Sequence, residues 1–341
     1  MRDLRPIEGF FVETPERLIF DVKGLLHPPN RTVAYLRYYP CMQGLRERNR
    51  VKYTKVYDLK ERSSWLAANY PEYLWHCEQW QMEVQAVPSE RITSYDPRRK
   101  LQELSRMPED QISPAAKNAR DLANLFQSRV PDPSEVGVTG SILVGLDAAD
   151  SDYDLVVYGQ SNCRSLFSTM DSLFSREKEL MKYTFADMPA RYQFRAAGSG
   201  VSIEQFSFHE LRKTHQGRFR NMDFFLRYVQ YPEEAGVDFA STRFSKLGPV
   251  QITGVVEDDS LALFTPCAYR VTVSSIDGHI PSQTNLQMIT EIVSFRGRFC
   301  EQLAAGEYFR GQGILEQVET RNGMHYRFLL GNQPTDYLVK M

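Results

Sequence analysis

Apolar and polar positions alternate in three textures along the 341 residues. From the start to about residue 105 the apolar runs are short. "GFFVET", "RLIFDVKGLLH" and "TVAYLRYYP" are bounded by Pro, Asn and Gly and read as strands of a mixed α/β region. The dense aromatics that follow, Trp65, Tyr70, Tyr73, Trp75 and Trp80, read first as core and second as a nucleotide-stacking surface. A polar, Pro-containing stretch then places a boundary near residue 108.

The second texture opens with a helix start. Ser113 is a side-chain acceptor for a free N–H, and Pro114 fits the first helical position, where its missing N–H costs nothing. Ala115, Ala116, Ala119, Leu122, Ala123 and Phe126 recur at helical spacing. "EVGVTGS" reads as a buried strand running into Gly140, "DLVVYG" as a second strand, and "RSLFSTMDSLFSREKELM" as a second long helix. "GRFRNMDFFLRYV" has the composition of a single further strand. From about residue 240 short strands are broken by Gly. Asp277-Gly278 and Asn322-Gly323 are two-residue hairpin signals, and a compact β barrel or sandwich is expected. The expected architecture is α+β: an N-terminal mixed domain over 1–108, a small mixed sheet with helices over 109–238, and a β-rich, barrel-like domain over 239–341.

Composition narrows the class. With 42% hydrophobic and 25% charged residues the chain is an ordinary globular one, and a net charge of -2 argues against a histone-like nucleic-acid coat. Cys41, Cys77, Cys163, Cys267 and Cys300 show neither a disulfide framework nor zinc spacing, which suits a reducing cytoplasm. The N-terminal "MRDLRPIEGF" lacks an apolar targeting core, and no run approaches a membrane span. A cytoplasmic protein without a membrane partner is expected.

Candidate chemistry concentrates in "TGSILVGLDAADSDYDLVV", residues 139–157. On a strand Asp152 and Asp154 point to one face while Tyr153 and Leu155 point away. Two converging carboxylates repel, and one takes up a proton unless a cation lies between them. A hard divalent ion such as Mg²⁺ resolves this, since it is commonly shared between carboxylates and substrate phosphates. Gly140 has no Cβ and lets a phosphate approach the backbone, Ser141 adds a hydroxyl, and "SILVGL" is expected to start a short helix whose free N–H groups attract anions. Asp147 and Asp150 fall in the connecting loop, Asp150 adding field rather than ligation.

The Gly-Ser pair, ten residues, then "DYDL", with Ser151 before the first aspartate, resembles the signature of the DNA polymerase β-like nucleotidyltransferase superfamily, in its minimal form, over about residues 110 to 235. The flanking regions resemble uncharacterised archaeal proteins that carry such a domain. The resemblance implies that Gly140 and Ser141 hold the β- and γ-phosphates of a nucleoside triphosphate such as ATP. It also implies that Asp152 and Asp154 bind Mg²⁺ or Mn²⁺, and that a third carboxylate on a neighbouring strand helps activate the attacking hydroxyl. The implied reaction is two-metal in-line transfer of a nucleotidyl group to an acceptor hydroxyl, RNA or another nucleic acid being one possible acceptor. The alternative is a catalytically inactive module of the same fold that binds nucleotide or RNA.

The third acid has two candidates, Asp223 in "NMDFFLRY" and, behind it, Glu204 in "GVSIEQFSF". Arg218 and Arg220, with Arg212 and Lys213 in "ELRKTHQGRFR", are candidate phosphate contacts, a solvated loop being the plain alternative. His209 and His215 lack a third partner at metal spacing and read as polar loop residues. Arg46, Arg48, Arg50 and Lys52 in "LRERNRVKYTK" read as a water-facing charge run or, less simply, a track for a nucleic-acid backbone.

Overall fold

The computed structural model describes residues 5–196, 198–236, 238–278, 285–321 and 323–341. The chain is mixed α and β and divides into two compact units, Met1–Glu78 with Met82–Leu180 and Gly217–Phe239, and Gln79–Gln81 with Met181–Gln216 and Ala240–Met341.

The first unit begins with an eight-stranded sheet built from β1 (Phe11–Glu13), β2 (Ile19–Val22), β3 (Arg31–Pro40), β4 (Arg46–Arg48), β5 (Val51–Lys55), β6 (Leu74–Cys77), β7 (Met82–Pro88) and β8 (Thr93–Tyr95). Its order is β4-β5-β3-β2-β1-β8, with β7 also on β3 and β6 on β7. β4 and β5 form a tight hairpin because Asn49 and Arg50 both take positive φ (52° and 64°), the requirement of a two-residue turn. Helix α1 (Leu59–Asn69) brings Trp65 onto Tyr39, the rings stacked at 4.1 Å, and Tyr73 is fully buried. Trp65, Tyr70 and Tyr73 therefore pack into core, as the first of the two readings has it, while Trp75 and Trp80 are only partly buried and join no core cluster among the described residues.

After α2 (Pro97–Arg106), α3 (Pro114–Gln127) starts as its sequence dictates: Ser113 Oγ accepts from the Ala116 N–H at 3.1 Å, and the six apolar residues at helical spacing are all buried. Then come β9 (Val136–Val138), α4 (Gly140–Leu143), β10 (Tyr153–Tyr158), α5 (Gln160–Arg176), β11 (Leu180–Met181), β12 (Gln216–Phe219) and β13 (Met222–Val229). They form a five-stranded sheet of order β11-β12-β13-β10-β9, with β13 parallel and β9 antiparallel to β10. "GRFRNMDFFLRYV" is thus a hairpin rather than one strand. Arg220 and Asn221 form its turn with φ of 50° and 65°, and ion pairs from Arg220 to Asp121 (2.7 Å) and Glu179 (3.0 Å) hold a residue that seldom adopts this conformation.

Period-2 alternation gives this sheet two faces. Phe224 lies against Phe126 of α3 and Phe174 of α5, and Tyr228 against Phe167. On the opposite face Val156, Tyr158 and Val229 share one buried cluster with Phe10 and with Val12, Phe20 and Leu36 of the N-terminal sheet. A division near residue 108 would cut through this core. The segments expected as separate domains therefore fold here as one unit.

In the second unit β14 (Arg243–Asp258), β15 (Cys267–Gly278), β16 (Ile289–Ser294), β17 (Tyr308–Thr320), β18 (Gly323–Leu330) and β19 (Tyr337–Lys340) make a barrel. The order β14-β15-β16-β18-β17 closes on itself through β14 and β17, and β19 adds to β17. Inward residues such as Ile252, Tyr269, Ile292, Phe309, Leu315 and Phe328 fill it. The unit also takes α6 (Met188–Arg195) and α7 (Ile203–Glu210). Met188, Val201 and Phe206 pack with Val339 of β19, which draws this segment away from the expected middle domain. Asp277-Gly278 ends β15, opposite Gln251 and Val250, and β16 starts only at Ile289, so the pair is a strand end rather than a two-residue hairpin. Of Asn322-Gly323, Asn322 lies outside the described residues, while β17 and β18 pair antiparallel with Thr320 opposite Gly323. Among the described residues no helix is long and apolar enough to cross a membrane.

Candidate active site

The link from β9 through α4 to β10 brings the Gly-Ser turn onto the acidic strand. Val138 pairs with Leu155, and the Thr139 N–H donates to the Asp154 carbonyl at 2.9 Å. Gly140 follows at φ +67°, and a Cβ there would sit 2.2 Å from Asp154 Oδ2 and 2.9 Å from its Cβ and Cγ. Only glycine fits, both for conformation and for space. The helix that begins there has four residues, too short for the expected dipole effect, and the space beside the Gly140 α-carbon is taken by the Asp154 carboxylate rather than left open for an anion. Ser141 is buried, and its hydroxyl donates to Ser151 Oγ at 3.3 Å. The same oxygen accepts from the Ala148 N–H at 2.9 Å, which closes the loop between the turn and the strand.

Asp154 is mostly buried, its side chain 20% exposed. Loss of hydration and the negative charge of Asp152 push its carboxyl up to about 6, against the pull of Arg227, Arg37 and Lys55. Arg227 stands two residues beyond Phe225, the residue paired with Asp154. Its Nη1 is 3.9 Å from Asp154 Oδ1 and its Nε 3.7 Å from Glu8 Oε1. Glu8, fully buried, accepts from Lys23 Nζ (3.0 Å) and the Gly24 N–H (2.8 Å), and Lys23 also meets Asp21 at 2.9 Å. A chain of alternating charges thus runs from Asp21 to Asp154.

The N-terminal sheet contributes directly. Arg46 Nη1 donates to Ser151 Oγ at 3.1 Å, and its Nη2 lies 3.8 Å from the exposed carboxylate of Asp150. Arg48 clamps the end of α4 through the Val144 carbonyl (3.1 Å), while Glu13, Tyr53 and Tyr95 hold the same guanidinium. Arg37 occupies a bulge, where the register with β2 slips between Ile19 opposite Tyr38 and Phe20 opposite Leu36.

The other expected site residues are distributed as follows. Asp152 is exposed at the entry to β10. Asp223 shares a face of β13 with Phe225 and Arg227, but its half-exposed carboxylate pairs with Arg218 Nε at 3.2 Å. Among the described residues no group of three or more His, Cys, Asp or Glu side chains is placed to hold a metal ion, so Asp152, Asp154 and Asp223 are not gathered into one ligand set. Glu204 lies in the first turn of α7, in the second unit. Arg220 is engaged with Asp121 and Glu179 at the hairpin turn. Asp147 accepts from Ser113 Oγ at 2.5 Å.

The remaining basic candidates are structural. Lys213 Nζ lies 2.6 Å from Glu210, and Arg212 3.0 Å from Glu307. Of the two histidines read as polar loop residues, His209 lies in α7 and His215 in the loop after it, and both are buried: His209 Nδ1 meets the Gln302 carbonyl at 2.8 Å and its Nε2 accepts from the Lys340 N–H, while His215 Nδ1 meets Glu301 at 2.6 Å.

No family model matches the chain. It is 27% identical to the uncharacterized protein MJ1086 of Methanocaldococcus jannaschii over 335 residues, covering 93% of this chain and 92% of that protein. No solved structure matches.

Reading the sequence missed Arg37, Arg46, Lys55 and Arg227 as neighbours of the acidic strand. A signal existed for two of them. Arg46 and Arg48 alternate on one strand before Asn49-Arg50, and Arg227 lies two positions beyond Phe225 on the face assigned to Asp223.

Proposed function

We propose that the chain is a metal-dependent nucleotidyltransferase that moves a nucleoside monophosphate group from a nucleoside triphosphate to an acceptor hydroxyl. The observation that carries this reading is the contact between Gly140 and Asp154: a bare α-carbon faces a mostly buried carboxylate, two residues from a second carboxylate, Asp152.

These groups fit a hard divalent cation, Mg²⁺ or Mn²⁺. Asp154 is made reluctant to ionise by burial and by Asp152, and a bound cation would remove that penalty. Asp152 and Asp154 would hold the ion, with phosphate oxygens and water completing its shell. Once bound, such an ion polarises phosphoryl oxygens and lowers the pKa of an attacking hydroxyl. The chain's own residues do the positioning. Gly140 lets the turn close against Asp154, the Ser141–Ser151 hydrogen bond fixes the loop beside it, and the neighbouring arginines would offset phosphate charge.

A second reading, nucleotide or RNA binding without transfer, is favoured by one observation: Asp223 pairs with Arg218 instead of joining the other two acids. The test is pyrophosphate release and nucleotide binding with each of the four nucleoside triphosphates and Mg²⁺ or Mn²⁺, on wild type and Asp154→Asn. Transferase activity requires release in wild type and its loss in a folded Asp154→Asn. Unchanged release in that variant refutes the reading, and metal-dependent binding without release against any acceptor selects the second.

A further inference from the structure

Two guanidinium groups beside the Gly-Ser turn have unspent hydrogen-bonding capacity. Arg46 is mostly buried, its side chain 18% exposed, yet its nearest carboxylate is Asp150 at 3.8 Å, itself 86% exposed and so heavily screened. Of its five N–H donors, the hydrogen bond made among the described residues is the one from Nη1 to Ser151 Oγ at 3.1 Å. Ser151 Oγ in turn lies 3.3 Å from Ser141 Oγ. Arg227 is similar from the other side. Its Nη1 is buried without a hydrogen-bond partner among the described residues: Asp154 at 3.9 Å, Glu8 at 3.7 Å and, farther off, Asp21 supply countercharge but no hydrogen bond to it. A buried cation with idle donors is costly unless an anion completes it.

Neighbouring arginines differ. Arg48 is engaged by Glu13, Tyr53, Tyr95 and the Val144 carbonyl. Arg220 is engaged by Asp121, Glu179 and Asn118. Arg218 meets Asp223.

We propose that Arg46 and Arg227 are the phosphate-binding arginines of this site, taking oxygens of a nucleoside triphosphate seated at Gly140–Ser141, in place of Arg218 and Arg220. The inference rests on the nucleotide reading above and adds to it that the N-terminal sheet is part of the substrate site. A planar guanidinium suits this role, because its fork matches two phosphate oxygens at once.

The test is calorimetric binding of Mg²⁺-ATP, Mg²⁺-tripolyphosphate and adenosine to the full chain, with folding checked by circular dichroism and the thermal midpoint. Arg46→Ala should weaken binding of ATP and of tripolyphosphate by about 10- to 100-fold, the range for a hydrogen bond to a charged group, and leave adenosine unchanged. Arg46→Lys should recover part of the loss, and the salt dependence of ATP binding should fall in Arg46→Ala. Arg227→Lys, which keeps the buried charge and the fold, should also weaken both phosphate ligands. Arg220→Ala should bind like wild type. If Ser151→Ala loses as much as Arg46→Ala, Arg46 merely positions Ser151 and the proposal fails. It fails too if Arg46→Ala and Arg227→Lys bind like wild type while Asp154→Asn does not, an outcome that leaves the nucleotide reading standing. Absence of binding by wild type to all four nucleoside triphosphates would remove that reading and the inference with it.

Discussion

Replacing Gly140 by alanine tests the contact on which the site depends. Two penalties add. The first is conformational: at φ +67° an L-residue with a Cβ pays about 1–2 kcal/mol. The second is steric, since the new methyl would lie 2.2 Å from Asp154 Oδ2 and 2.9 Å from the Cβ and Cγ of that residue. Forcing a buried side chain off its rotamer costs about 1–3 kcal/mol more. Gly145→Ala separates the two. Gly145 has nearly the same φ, +65°, but its added Cβ would meet only Arg48 Cδ and Cγ, at 3.5 and 3.8 Å, which is ordinary contact. The expected losses are therefore about 2–5 kcal/mol for Gly140→Ala and about 1–2 kcal/mol for Gly145→Ala. Urea unfolding with Trp fluorescence reads both, because Trp65 and Trp75 lie in the first unit with these glycines. In an Asp154→Ala background the excess should shrink, since the closest oxygen is gone, without vanishing, since the 2.9 Å contact with Cβ remains. Equal losses in the two glycine variants would mean that Asp154 yields freely, and the tight turn assigned to phosphate binding would not exist.

Three further outcomes follow from buried charges. His27 and His209 are pushed down to about 3 and about 4, chiefly by burial, so both stay neutral in the folded protein while the unfolded chain takes up protons below about 6.5. Stability is then full above that pH and falls as pH drops toward 4, by about 1.4 kcal/mol per unit for each histidine; His209→Gln should flatten the urea-midpoint profile there, and an identical slope in the variant would refute the assignment. Arg98, fully buried between Asp96 (2.7 Å) and Glu135 (3.0 Å), leaves two acids uncompensated when replaced by Met, with an expected loss of about 3–5 kcal/mol in urea unfolding; a loss below about 1 kcal/mol would show that the acids relax into water. Asp154→Asn removes a carboxyl whose ionisation burial and Asp152 oppose, so its thermal midpoint at neutral pH without metal should equal or exceed that of wild type, and a clear drop would mean that the pull of Arg227, Arg37 and Lys55 outweighs burial and Asp152.

The parts of the fold legible in the sequence are those fixed by local physics. Ser113 and Pro114 start α3 because capping acts within one turn, and its buried face follows from a 3.6-residue period. The strands "GFFVET", "RLIFDVKGLLH" and "TVAYLRYYP" contain β1, β2 and β3 for the same kind of reason. Failures arose where distant groups decide. Arg220-Asn221 is a poor turn signal by itself, and acids 41 and 99 residues away hold it. No local cue separates residues 181–216 from the helices before them, since their allegiance is decided by Val339 at the far end of the chain. Nor does a polar stretch near residue 108 mark a boundary, because Val156 and Val229 complete a core begun by Phe10 and Val12.

The same distinction runs through the site. Gly140, Ser141, Asp152 and Asp154 lie within one β-α-β segment, so spacing alone brings Gly140 against Asp154. Arg46 reaches Ser151 across 105 residues and Arg227 reaches Asp154 across a parallel strand, and no spacing rule encodes such approaches. What can be read locally about them is alternation: on a strand, a basic residue two places from another shares its face. That rule places Arg46 beside Arg48 and Arg227 beyond Phe225, but not which partner each face meets. The charges themselves carry the rest of the argument. A net-negative chain that holds Arg46 away from close acids and leaves a buried Arg227 Nη1 without a hydrogen bond among the described residues, beside a turn fit only for glycine, has placed donors where an anion can use them. The loss of tripolyphosphate binding in Arg46→Ala, set against its retention in Arg220→Ala, is the measurement in which that arrangement and an incidental surface charge give opposite results.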